Sequence, residues 1–211
     1  MQLDLIFSLV ILVVSVVLHE VAHGYMANYL GDPTARLQGR LTLNPLSHID
    51  LVGSILLPLL LVMGNSPIRI GYAKPVPYNP HYLPGKYDEA LVAFAGPGTN
   101  ILLAVLFGLL IRFGGTNMSP ALLSAFVIIV LTNVGLALFN LVPIPPLDGS
   151  KVLAGILPGG VGRAYGDFRA NFERFGVLSG TLILLVLLYV LGPYFSLAVT
   201  YVFHLLTGLQ L

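Results

Sequence analysis

Five stretches of this chain, at about 3–30, 91–112, 121–142, 175–191 and 193–209, are almost unbroken apolar runs. A helix crossing a bilayer needs about 20 such residues. Only 9% of the 211 residues are charged and mean hydropathy is +0.91, against about 25% charged in a soluble domain. Lipid offers backbone groups no partner, so runs of this length must satisfy their own hydrogen bonds as helices. The expectation is a multi-pass protein of the cell membrane, embedded in the lipid bilayer as a single domain over 1–211. Its fold class is all-α and polytopic, with about five transmembrane helices.

Two shorter segments qualify that picture. Residues 51–64 form a 14-residue apolar run with Gly53 and Pro58 in it, which suits a short re-entrant element better than a span. Residues 34–45 alternate Ala35, Leu37, Leu41 and Leu43 with polar side chains around Gly39, the period of a small β-hairpin. Nine of the ten basic residues fall in 31–50, 65–90 and 143–174. If 51–64 is re-entrant, these loops share one face, which the positive-inside rule makes cytoplasmic. The N-terminus then lies outside and the C-terminus inside, and a sixth span at 51–64 is the rival topology. The opening "MQLD" lacks a basic leader, so the first run is expected to stay as a membrane helix.

Composition also excludes chemistry. There is no cysteine, so a metal here must be held by His, Asp or Glu. A net charge of +1 with scattered basic residues gives no surface for nucleic acid.

Against this background "HEVAH" at 19–23 stands out. Ionisable groups in hydrocarbon cost about 2.5 kcal/mol or more each, which marks them as functional. His19 and His23 are four residues apart and project from one helical face, so both can ligate one ion. Glu20 stands beside them to take a proton from water, the spacing of a zinc hydrolase. A catalytic zinc wants three protein ligands. The best third candidate is Asp148 in "NLVPIPPLDG", where Pro143, Pro145 and Pro146 stop the preceding helix and Gly149 permits a sharp turn. A rival from another class, a metal-ion carrier, would use the same His and Asp residues but has no need of Glu20.

With "HEVAH" at 19–23, "FNLVPIPPLDG" at 139–149 and "AGPGTN" at 95–100, the chain resembles the site-2 protease family of intramembrane zinc metalloproteases. The stretches "GRLTLNPLSHID" and "GYAKPVPYNP" are similar to its compact prokaryotic members, and no PDZ or CBS insertion is found. The resemblance implies one zinc per chain on His19, His23 and Asp148, with Glu20 as catalytic base and Asn140 positioning substrate or the oxyanion. It implies a transmembrane protein as substrate, cut after local unwinding. Apart from the resemblance, the 34–45 hairpin is expected either to offer an unwound substrate an edge to pair with or to be purely structural. An inactive, membrane-protein-binding relative is a further alternative, and oligomeric state, a homo-oligomer included, is left open.

The remaining polar residues read as structural. His48 with Asp50 is expected to cap the 51–64 element, and His81 and His204 to carry no chemistry. Gly96, Gly98 and Asn100 are expected to let helices approach closely, with Asn100 bonding across the interface.

Overall fold

The computed structural model describes residues 2–50, 73–174 and 176–210. Seven helices are found among them: α1 Gln2–Tyr29, α2 Thr34–Leu37, α3 Asp88–Gly114, α4 Pro120–Asn140, α5 Asp148–Ile156, α6 Gly159–Arg174 and α7 Gly176–Thr207. Among the described residues, four segments are long and apolar enough to cross a membrane, namely Ile6–Tyr29, Asp88–Asn117, Pro120–Asn140 and Tyr189–Thr207. The run at 51–64, and with it the choice between re-entrant element and span, lies outside the described residues.

α3 is the central helix, packed against α1, α4, α5 and α7. Its ends suit a helix dipole, with Asp88 and Glu89 in the first turn and Arg112 in the last. A short turn at Gly115–Asn117 then leads into α4, where Ser119 caps the helix by accepting from Leu122 N–H and Pro120 occupies the first turn. So short a connection makes α3 and α4 antiparallel neighbours. Ala104, Ile111, Val130, Val134 and Phe203 form the buried core shared by α3, α4 and α7. Leu102, Phe113 and Tyr194 point outward, the surface a bundle presents to lipid.

Two expectations are corrected. The runs at 175–191 and 193–209 are not two helices: α7 continues through Gly192 and Pro193 as one helix of 32 residues. Proline removes one backbone bond, and a membrane helix tolerates that loss where a full break would expose several polar groups. The β-hairpin at 34–45 is also absent, and no strand occurs among the described residues. Asp32 accepts hydrogen bonds from the backbone and hydroxyl of Thr34 and so starts a helical turn there. Gly39, at φ 64°, ends it: Arg40 N–H reaches Ala35 C=O at 2.9 Å and Gly39 N–H reaches Arg36 C=O at 3.0 Å. That is a Schellman helix stop, not a hairpin turn. Without the hairpin there is no strand edge at 34–45 for a substrate to pair with.

Candidate metal centre

α1 carries His19 and His23 on the face that packs against α3. Contacts pair His23 with Val92, and both His19 and Ser15 with Asn100, so α1 and α3 run antiparallel. α4 therefore runs parallel to α1, and the turn after it delivers Asp148 to the histidine end of the bundle. Asp148 opens α5, directly after Leu147 in extended conformation. Gly149 makes this turn feasible, because a Cβ there would collide with the backbone of Leu141 and Val142. Tyr165 on α6 braces the same turn by donating to Pro143 C=O at 2.8 Å.

The three candidate ligands converge. Asp148 Oδ2 lies 3.2 Å from His19 Nε2 and 3.3 Å from His23 Nε2, and the two Nε2 atoms are 3.1 Å apart. The other ring nitrogens point away: His23 Nδ1 meets Val92 C=O at 2.7 Å and His19 Nδ1 meets Asn100 Oδ1 at 2.6 Å. Each acceptor requires a proton on Nδ1, leaving Nε2 as a bare lone pair. Three acceptor atoms thus face one another and call for a cation between them. Donors about 2.0–2.2 Å from a tetrahedral zinc stand about 3.3 Å apart, so the set fits that ion.

Gly96 explains how α3 passes so close. A Cβ there would strike the His23 ring and lie 2.7 Å from His19 Nε2. The close approach expected at Gly96 is therefore found, directly against the imidazoles. At Gly98 the nearest atoms that an added Cβ would meet belong to Phe94 of the same helix.

Glu20 is half-buried beside the histidines, and its Oε2 accepts from Val76 N–H at 2.9 Å. The extended segment that supplies this N–H is tied down by Arg40, which donates to Lys74 C=O at 2.9 Å and Pro75 C=O at 3.3 Å. Lys151, one turn beyond Asp148, lies over the Tyr78 ring at 5.0 Å. Burial opposes its charge, but Tyr78, Asp148 and Glu89 more than offset this and raise its pKa.

Asn140 takes a different place. Its amide donates to Leu136 C=O of its own helix at 2.9 Å, and among the described residues it has no hydrogen bond to the three ligands. His48 is buried and bonds Thr42 C=O at 2.9 Å, pinning its loop. His204 bonds Leu209 C=O at 2.9 Å, and His81 is exposed. Asn133 and Ser15 were not singled out by sequence, yet both are buried and join Asn100 behind His19. An asparagine inside the apolar run at 121–142 was the available signal.

Residues 111–187 match peptidase family M50. The "Putative zinc metalloprotease YwhC" of Bacillus subtilis (strain 168) is 40% identical over 163 residues, covering 74% of this chain and 71% of that protein. The chain belongs to peptidase family M50. The "Putative zinc metalloprotease Rip2" of Mycolicibacterium smegmatis is 32% identical over 151 residues, or 70% of this chain and 57% of its own length. A protein of the same name from Mycobacterium tuberculosis is 29% identical over 140 residues, with 66% and 53% covered. The chain thus spans little more than half the length of the Rip2 proteins. No solved structure matches. The M50 match contains Asp148 and its turn, and the histidine motif lies outside it.

Proposed function

We propose that this chain is a zinc-dependent endopeptidase of the cell membrane that cuts peptide bonds within transmembrane segments of other proteins. In this reading His19, His23 and Asp148 hold one zinc ion per chain and Glu20 is the general base. Membership of family M50 makes the chain a metalloprotease, and the four apolar helices among its described residues suit a multi-pass membrane protein. The observation that carries the ligand assignment is the convergence of two Nε2 lone pairs and one carboxylate oxygen, with both Nδ1 protons turned away.

Bound zinc supplies a Lewis acid that polarises a carbonyl and lowers the pKa of water. The chain's own residues do the rest. Glu20, held through one oxygen by Val76 N–H, takes the proton from the attacking water and returns it to the leaving amine. A substrate helix hides its amides in hydrogen bonds, so its segment must unwind before a carbonyl can reach the site. Asn140 as a substrate-positioning amide rests on the resemblance to site-2 proteases. A metal carrier would have no use for a carboxylate anchored beside the two histidines.

The test is incubation of purified protein with a model transmembrane substrate, with and without a chelator, comparing wild type with Glu20→Gln. Cleavage by wild type that is lost on chelation and in the variant is expected. Cleavage unaffected by chelator would sink the reading.

A further inference from the structure

We infer that Asn100, Asn133 and Ser15 are positioning residues for the metal site. Together they form a buried chain of directed hydrogen bonds across α1, α3 and α4 that fixes His19 with its proton on Nδ1. The inference rests on the reading of His19 as a zinc ligand.

The direction of the chain is set by backbone carbonyls, which only accept. Asn133 donates through Nδ2 to Ile129 C=O at 2.8 Å and to Ser15 Oγ at 3.0 Å. Its NH2 group must therefore lie on that side, and its Oδ1 faces Asn100. Asn100 in turn presents its own NH2, donating to Asn133 Oδ1 at 2.8 Å and lying 3.5 Å from Ser15 C=O. Its Oδ1 is thereby turned to His19 Nδ1, at 2.6 Å. An acceptor there demands Nδ1–H, and the lone pair is left on Nε2. Every link is forced by the one before it.

All four side chains are buried, Asn100 and Asn133 fully. Water therefore cannot substitute for a missing link, and an unpaired amide at this depth is costly. His23 needs no such chain because Val92 C=O fixes it directly. The two ligands are thus oriented by different means, one by a single carbonyl and the other by side chains from two further helices. Partners that orient a ligating histidine commonly change metal affinity tenfold to a hundredfold when removed.

The experiment uses the full chain in nanodiscs. It measures zinc affinity by competition with a chromophoric chelator, together with the absorption spectrum of the cobalt-substituted protein. Asn100→Leu should weaken zinc about tenfold to a hundredfold and alter the cobalt spectrum. Asn100→Asp keeps an acceptor against His19 Nδ1 but loses the donor to Asn133 Oδ1, so it should weaken zinc by less than Asn100→Leu does. A role in packing alone predicts the reverse order, since leucine suits an apolar bundle and a buried carboxylate does not. Equal affinity of Asn100→Leu and wild type, or equal loss in both variants, overturns the inference. If Asn100→Leu does not fold, Asn133→Leu decides: it removes the anchoring amide and should also weaken zinc, and unchanged affinity overturns the inference. A wild-type protein that binds no zinc, or a His23→Ala protein that binds it normally, would instead overturn the metal reading itself.

Discussion

Gly96 shows how much a single residue decides here. The imidazoles of His19 and His23 sit where any side chain at 96 would be, so Gly96→Ala must push either α3 or the rings aside. We expect this variant to lose most of its zinc while keeping its helix content, checked by elemental analysis and circular dichroism. Zinc content equal to wild type would mean that α3 can shift without cost to the site. Glu20 behaves oppositely. Glu20→Gln preserves shape and should keep zinc, but removing the base should slow cleavage by at least about a hundredfold. Near wild-type turnover would show that another group takes the proton. The candidate ligands were legible in the sequence because their signal is local: two histidines one helical turn apart, and an aspartate fixed by prolines before it and a glycine after it. That Asn100 bonds across a helix interface was legible as well, but its meeting with Asn133 and His19 was not, because it arises only when three helices distant in sequence come together.

At the scale of elements, the same local signals were sometimes read with the wrong partner. The alternation at 34–45 is real, but it does not mark a sheet: Ala35 is buried beside Gly24 of α1, while Leu37 and Leu43 are exposed. Glycine at the centre of an alternating stretch serves a hairpin turn and a helix stop alike, and only the direction of the hydrogen bonds distinguishes them. Gly39 has nothing within 4 Å of an added Cβ, so Gly39→Ala would act through backbone strain alone. At φ 64° the cost should be about 1 kcal/mol, which lowers a melting midpoint by about 2–4 °C in a chain of this size. Zinc content should be unchanged. A midpoint equal to wild type would mean that the stop at 38–40 relaxes without the left-handed residue. Gly192 and Pro193 teach the converse, since they look like a break between spans yet lie inside α7. In lipid the demand that backbone groups remain paired outweighs proline's local preference.

For the whole molecule, the order of crossings follows from the pairing of α1, α3 and α4 together with the continuity of α7. α1 and α4 run the same way with α3 antiparallel between them, which brings His19 and His23 within reach of Asp148 across more than a hundred residues of sequence. The loops at 31–50, 65–90 and 143–174, which hold nine of the ten basic residues, belong on the cytoplasmic side by the positive-inside rule if 51–64 does not cross. α7 then leaves from that side. As one helix and not two, it is expected to cross once and to carry the C-terminus outside, opposite to the five-span expectation. The cysteine-free chain makes this directly measurable. Gln38, His81 and Gln210 are all exposed, so a cysteine at each should be accessible to thiol reagents from its own side. An impermeant reagent applied to intact cells should label Gln210→Cys and leave Gln38→Cys and His81→Cys unlabelled until the cells are opened. Labelling of His81→Cys but not Gln38→Cys would show that 51–64 spans the membrane. Protection of Gln210→Cys together with the other two would mean that α7 does not make a single crossing, and the outward C-terminus would have to be abandoned.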